Sequence, residues 1–432
     1  MCNFVCSNIY LRRNLQNNKH LIQMIKPLTL LLALALAGTS AAQTRHTAAF
    51  TVQVANDGAM AHEAVPVVIA LQKYGVDVHT ALVTCGGSEV PCQIDDMDRD
   101  GWPDELCFMA QVGPHTARSY AVTIADSGQP RSYTPRTYAE MMLPNKGNRK
   151  IYISELTVDR GSASAFNAVV PHGPAFENEY GAYRIYFDHR QTVDLYGKVN
   201  RQLELRQTHF YPSAQQLRAG SGDDVLWVGD SFGLGALRGW DGRHPTMIDS
   251  LARRTMRVLA SGPVRAVVEV VNTGWQTAAA GQPPVNMTTR YAVYAGRRDV
   301  EVNVSFDRPT AGYEFSTGLV NVKGSEEYSD HHGLRACWGT DWPVAERDSV
   351  GHKRETVGLA ISIPRRYVVR ELPADRDNYP FVVSTAGGSR LHYWLNFASA
   401  NEARGYHSAC EWFAYLRQWQ RQLDSPVRIS GL

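Results

Sequence analysis

An all-β fold follows from three features of this 432-residue sequence. Short segments of alternating apolar and polar residues recur from Ala49 to Ile429, separated by glycine, proline and small polar residues. That period of two is the mark of strands. The segments fall into two blocks, 47–127 and 151 onward, with a Pro-, Gly- and polar-rich stretch between them. One segment near the end has helical spacing instead. The predicted architecture is a small N-terminal β-sandwich (43–127), a linker (128–150) and a large two-sheet β-sandwich (151–432) with one C-terminal helix. So many strands in one domain must stack as two sheets to bury their apolar faces.

Residues 1–42 precede the first block. From Met24 a lysine, a leucine- and alanine-rich run and small residues ending at Ala41 and Ala42 read as a secretory signal peptide. The run is too short to anchor in a bilayer. The 23 residues before Met24 read as an over-extended start. A periplasmic or extracellular location is expected, with no stable membrane insertion. Removing the segment takes Arg12, Arg13, Lys19 and Lys26 from 44 basic residues, leaving 40 against 42 acidic ones, a net charge of −2. That balance argues against a nucleic-acid partner. Five cysteines remain: Cys85, Cys92, Cys107, Cys337 and Cys410. Cys85 and Cys92 flank the turn "GGSEVP" and are candidates to pair in an oxidising compartment, although spacing alone does not fix connectivity.

In the first block, "AFTVQVAN", "VPVVIALQ", "VHTALVT", "ELCFMAQV" and "SYAVTI" read as strands. Between "CQI" and "ELCFMAQV" lies an acidic turn with Asp96, Asp98, Asp100, Gly101 and Asp104. Carboxylates at positions 1, 3 and 5 with glycine at 6 suit a calcium loop, and Asp104 falls at 9. Position 12 is Cys107 rather than a bidentate Glu, and the flanks are strands. Two readings stand: a structural calcium held by Asp96, Asp98, Asp100 and Asp104, or a charged hairpin turn with Gly101 at positive φ. No cofactor is required by the sequence.

In the second block the strand segments are "YRIYFDHR", "VDLYGKV", "RQLELRQTHF", "DVLWVGDS", "TMRVLAS", "VRAVVEVVN", "TRYAVYAG", "DVEVNVSFD", "GLVNV", "GLAISI", "RLHYWLNFA" and "PVRIS". "RYAVYAGRRDVEVNVSFDR" is the clearest hairpin. Ser408 is placed to cap the helix "ACEWFAYLRQWQRQL", whose apolar face is Trp412, Phe413, Leu416, Trp419 and Leu423.

Ionisable and aromatic residues concentrate in 172–211. Alternation sends Tyr183, Ile185 and Phe187 to one side and Arg184, Tyr186 and Asp188 to the other; Asp194, Tyr196 and Lys198 oppose Val193 and Leu195. Two polar rows side by side would floor a cleft, bracketed by His172 and His209. These types suit removal of the acidic C–H beside a uronate carboxylate. A cation neutralises the carboxylate while a base and an acid move protons. Arg184 or Lys198 is the candidate cation; His172, His209 or Tyr196 is the candidate for proton transfer, and Tyr183 is a further candidate catalytic residue. Polar strand faces are also common on solvated sheets. Glu177, Glu179, Asp188, Asp194 and Glu314 are candidates for a two-carboxylate hydrolase, which carboxyl separation would test. "GDSFG" around Ser231 fits a nucleophile elbow formally but lacks the following helix.

The segments "YGAYRIYFDHRQTVDLYGK", "DDVLWVGDSFGLGALRGWDG", "GPVRAVV" followed by "GW", and "WFAYLRQW…LDSPVRI" together resemble the domain-of-unknown-function 4861 family, exported Bacteroidota proteins associated with polysaccharide degradation. The resemblance implies a large sandwich of the polysaccharide-lyase or sugar-mutarotase kind and a role in breaking down uronate-containing glycans. It transfers no catalytic set. Elimination of the lyase or dehydratase type on an oligosaccharide is the function expected. A glycoside hydrolase and a non-catalytic glycan-binding protein are the alternatives.

Overall fold

The computed structural model describes residues 46–432 except 162 and 280, so the expected signal peptide lies outside the described residues. The described residues belong to one compact unit. No described helix is long and apolar enough to cross a membrane.

The first sandwich packs a five-stranded sheet on a three-stranded one. The five-stranded sheet runs Arg428–Ser430, Thr47–Asn56, Thr116–Ala125, Thr80–Cys85, Ser88–Val90; the other runs His62–Ala70, Glu105–Val112, Cys92–Asp95. Val52, Val54, Val122 and Ile124 from one sheet meet Val67, Ile69, Leu106 and Phe108 from the other. Thr51 and Gln53 between them stay exposed, the in–out alternation of a half-buried strand. The segment "PVRIS", expected in the large sandwich, instead pairs with the first strand (Val54 opposite Ile429), so the chain's last strand closes its first sheet.

The large sandwich is built on a nine-stranded antiparallel sheet from Glu155–Asp159 to Glu326–Ser329. The predicted hairpin is there, with Met287 opposite Phe306 and Val293 opposite Val300. The facing layer is split into a six-stranded and a five-stranded sheet, linked by bridges at Val193–Gly233 and Leu234–Leu319. One apolar core draws on all three sheets through residues such as Phe176, Ile185, Val268, Val302, Leu319 and Phe381. The helix Ala409–Asp424 starts where Ser408 Oγ accepts the Glu411 N–H at 3.3 Å. It buries Ala409, Trp412, Leu416 and Trp419, with Phe413 and Leu423 partly covered. Gly358 lies beneath it, where a Cβ would come within 2.7 Å of the Trp338 ring and of Trp412 Nε1.

Four expectations are corrected. The stretch 128–150 is not all linker: Thr137–Pro144 is an inner strand of the six-stranded sheet. "RQLELRQTHF" is no strand but a helical turn, Leu205–Thr208, followed by His209 (φ 48°) and Phe210 (φ 72°). Of "DVLWVGDS" only Asp224 is strand, in the two-residue strand Asp223–Asp224. The five cysteines are all free, so Cys85 and Cys92 do not pair. Cys92 is buried, with Sγ 3.8 Å from the Ala81 carbonyl, and burial raises its thiol to about 11.

The two sandwiches are riveted by Arg265, which donates to Asp95 Oδ2 and to Glu105 Oε2, each at 2.7 Å. Beyond these two strands the acidic turn closes on itself. Asp96 accepts the N–H of Arg99 and Gly101; Asp104 accepts those of Met97 and Asp98. Oxygens of Asp96, Asp98 and Asp104 lie within 4.8 Å of one another, whereas Asp100 is outside that group and accepts from the Trp102 N–H. Gly101 has φ 97°. Calcium here remains a structural proposal. Added calcium is expected to raise the melting temperature modestly, through binding to the folded state alone, and to leave activity unchanged. A chelator that abolished activity without unfolding the protein would show a metal elsewhere.

Candidate active site on the six-stranded sheet

The sheet runs Asp223–Asp224, Val193–Gly197, Gly181–Ile185, Val170–Asn178, Thr137–Pro144, Lys150–Tyr152. Its inner face carries Phe176, Tyr183, Ile185, Val193 and Leu195 into the core. On the outer face antiparallel register lines up Glu140, Ala175, Arg184 and Asp194, one per strand. Glu140 and Arg184 therefore stand on either side of Ala175, with backbones about 10 Å apart by strand spacing.

The segment 204–211 covers this face. Ala175 and Ala182 are small enough for Leu205 and Phe210 to pack down on them beside Tyr196. What starts the turn is Glu177. Its buried carboxylate accepts the N–H groups of Glu204 (3.0 and 2.9 Å) and Leu205 (2.9 Å) and the Lys198 ammonium at 2.5 Å. Phe210 then lies over the Arg184 guanidinium at 4.2 Å, leaving His209 and Tyr211 to emerge on opposite sides.

On one side His209 Nδ1 is 2.9 Å from Glu140 Oε1, and Glu140 Oε2 accepts from the Tyr138 hydroxyl at 2.9 Å. The Glu140 side chain is 0% exposed and that of His209 20%. An ionised carboxylate only accepts, so Nδ1 carries the proton and Nε2 is left with a free lone pair. Burial holds the Glu140 carboxyl above its ordinary range, and the neighbouring imidazole pulls it back. The Tyr152 ring lies 6.4 Å from that of His209, and Tyr152 is exposed. Burial and the Glu140 charge raise its hydroxyl above the usual phenol value. Arg206, also exposed, sits over the Tyr138 ring at 4.8 Å.

On the other side Arg184 Nη2 donates to both Asp194 Oδ2 (2.6 Å) and Asp224 Oδ2 (2.9 Å), and Nη1 donates to the Tyr211 hydroxyl. Tyr186 also donates to Asp194, at 2.7 Å. Two carboxylates share one guanidinium. Burial, then the Asp194 charge, holds the Asp224 carboxyl well above its ordinary value despite Arg184. His172 stacks on Phe166 at 4.0 Å, with Nδ1 2.9 Å from the Phe166 carbonyl; burial lowers its value. Its ring faces Tyr186 and Tyr211 edge-on.

Residues 54–429 match the family model described as Domain of unknown function (DUF4861). The chain belongs to that family. No curated protein matches this DUF4861 chain. Two of the solved structures to which it is similar are from Enterococcus faecalis. One is described as a protein in the glycosyl hydrolase family 38 from Enterococcus faecalis, with a TM-score of 0.46, 10% identity, and coverage of 88% of this chain and 47% of that one. The other is an alpha-mannosidase from Enterococcus faecalis V583, with a TM-score of 0.44, 10% identity, and coverage of 88% and 46%. The DUF4861 chain thus spans about half the length of the structures it matches.

Six residues of this DUF4861 chain were singled out from its sequence, and the structure distributes them. Arg184, Tyr196 and Lys198 share the outer face as alternation predicts, and His209 arrives there on the covering segment. Tyr183 is on the core side, its hydroxyl donating to the Arg298 carbonyl at 3.2 Å. Lys198 has all three N–H bonds taken, by Glu177, the Asn178 carbonyl and the Gln202 carbonyl. It therefore has no donor to offer a substrate carboxylate. Arg184 is likewise committed to Asp194, Asp224 and Tyr211. Tyr196 is fully buried, its one O–H within hydrogen-bond distance of Glu204 Oε2 (2.9 Å) and the Gly222 carbonyl (2.8 Å), while burial raises its hydroxyl, so it is no base. Glu140, Tyr152, Arg206 and Tyr211 were not found from sequence. Among the hydrolase candidates, Glu177 and Asp194 are buried and fully bonded. Ser231 Oγ is turned to the Val228 carbonyl at 2.6 Å and is no nucleophile.

The shared guanidinium gives a pH prediction. The folded protein keeps the Asp224 proton to a higher pH than the unfolded chain, where carboxyls titrate near ~4. That stability is complete below the unfolded value and is lost as pH rises through the native one. Asp224→Asn should flatten the fall in unfolding free energy above about pH 4, measured by denaturant titration. Asp194→Asn should destabilise at every pH, since it leaves Arg184 with one weaker partner. An unchanged slope in Asp224→Asn would refute the assignment.

Proposed function

We propose that this chain is an exported carbohydrate-active enzyme that acts on uronate-containing oligosaccharides by elimination, of the lyase or dehydratase type. The observation that supports it most is His209, a partly exposed imidazole held by buried Glu140, with the ring of exposed Tyr152 6.4 Å from its own and exposed Arg206 on the same covering segment. Arg206 meets the substrate carboxylate and lowers the cost of charge at the adjacent carbon. His209 Nε2 takes the proton from that carbon. Tyr152, whose raised hydroxyl keeps its proton at neutral pH, gives it to the departing oxygen. The C–H and C–O bonds break, a C=C bond forms, and the leaving group is a sugar hydroxyl in a lyase or water in a dehydratase. This replaces Arg184 and Lys198 as the carboxylate partner, because Lys198 is saturated and Arg184 is buried against Asp194 and Asp224.

The test is incubation with a panel of uronate oligosaccharides, with product masses and absorbance followed together. A conjugated product is expected, either by chain cleavage at unchanged total mass or by loss of water. Gain of water would mark a hydrolase, and binding without turnover a glycan-binding protein.

A further inference from the structure

A cavity of about 670 Å³ lies away from His209, beginning one residue beyond Asp224. It is framed by Val225–Ser231, by the ends of strands Phe315–Val320 and Asn378–Val383, and by Asp341, Trp342 and Glu355. Its size is within the roughly 300–1,000 Å³ of small-molecule sites. The proposed elimination uses none of its residues.

Two tryptophans line it. Trp227 is 48% exposed; with Trp102 in the acidic turn it stands apart from Trp275 and Trp412, which are buried. Trp342 is half-buried, with the Arg354 guanidinium over its ring at 5.4 Å. Indole rings in a wet cavity suit the C–H faces of sugar rings, which are apolar on their faces and polar at their edges. The charges decide which sugar. Four carboxylates (Asp230, Asp341, Glu355 and Asp377) oppose two cations, Lys323 and Arg376. Arg376 is paired with Asp377 at 3.0 Å, and Lys323 lies 3.9 Å from Glu346. The lining carboxylates outnumber the lining cations four to two, so an entering anion meets net negative charge, whereas hydroxyl groups find carboxylate acceptors.

We infer that this cavity is a second carbohydrate site, which takes a neutral sugar unit and rejects uronate. It stands on the cavity alone and does not depend on the elimination reading. The test is calorimetric titration of the full chain with glucose, galactose, mannose, xylose and rhamnose, with their oligosaccharides, and with glucuronic acid. At least one neutral sugar is expected to bind, with glucuronic acid tenfold weaker or undetectable. Trp227→Ala should weaken that binding about tenfold, the loss of one stacked ring. Asp230→Asn, at an exposed position, should narrow the preference against glucuronic acid. His209→Ala should bind the neutral sugar like wild type, so failure of the elimination reading would show separately. The inference is overturned if no neutral sugar binds, if glucuronic acid binds as tightly, or if Trp227→Ala leaves binding unchanged.

Discussion

His209→Ala is expected to lower turnover of a uronate oligosaccharide by about a hundredfold or more, the usual worth of a positioned acid or base. The protein should stay folded, because His209 is already partly exposed and its removal opens no core cavity. Glu140 acts through His209, so Glu140→Gln should do less. The amide oxygen can still accept from Nδ1–H, but without the charge that favours the imidazolium formed as the proton is taken. Its signature should be a shifted pH–rate profile rather than a lost one. Tyr152→Phe should depress elimination while leaving substrate binding near wild type, as removal of a proton donor requires. Tyr196→Phe, by contrast, should cost stability through Glu204 and leave the per-molecule rate of the folded fraction largely intact. If His209→Ala retained near-wild-type turnover while Asp194→Asn lost it, the proton-transfer roles would have to move to the Arg184 side of Phe210.

Much of the architecture could be read from local pattern. Period-two alternation identified most strands and sorted Tyr183 from Arg184 and Leu195 from Tyr196 onto opposite faces. Helical spacing and Ser408 located the one long helix. The failures have a shared physical cause. Strand Thr137–Pro144 is covered on both faces, so it lacks the polar-out rhythm that marks a half-buried strand, and its Pro- and Gly-rich flanks made it resemble a linker. Glu140, which orients His209, lies 69 residues before it in sequence. No local signal pairs them. The outer face of the sheet was read as a solvated floor. Alternation identifies a face but not what covers it, and here segment 204–211 does so. Once covered, Lys198 and Tyr196 became interior groups that must satisfy their hydrogen bonds within the protein. Their chemistry is spent on structure, and the residues left for substrate are those that rim the covering segment.

The same covering segment sets the largest stability prediction. Lys198 and Glu177 have side chains 1% and 0% exposed and lie 2.5 Å apart. A buried ion pair contributes little net stability over an apolar pair of equal volume, but removing one partner leaves a buried charge unpaired and costs about 3–5 kcal/mol. Lys198→Met should therefore destabilise by that order, since Glu177 would keep only the N–H groups of Glu204 and Leu205 to hold its charge. Those two bonds begin the turn that carries Arg206, His209 and Phe210, so the variant should also lose turnover in proportion to how far the segment loosens. The double variant Glu177→Gln/Lys198→Met removes the stranded charge while keeping an amide oxygen for the two N–H groups. It should recover a substantial part of the loss in stability. Unfolding of the wild type, both single variants and the double variant closes a thermodynamic cycle on the pair. A Lys198→Met protein as stable as wild type, or a double variant no better than the single, would mean that the pair does not hold the covering segment. The position of His209 would then need another explanation.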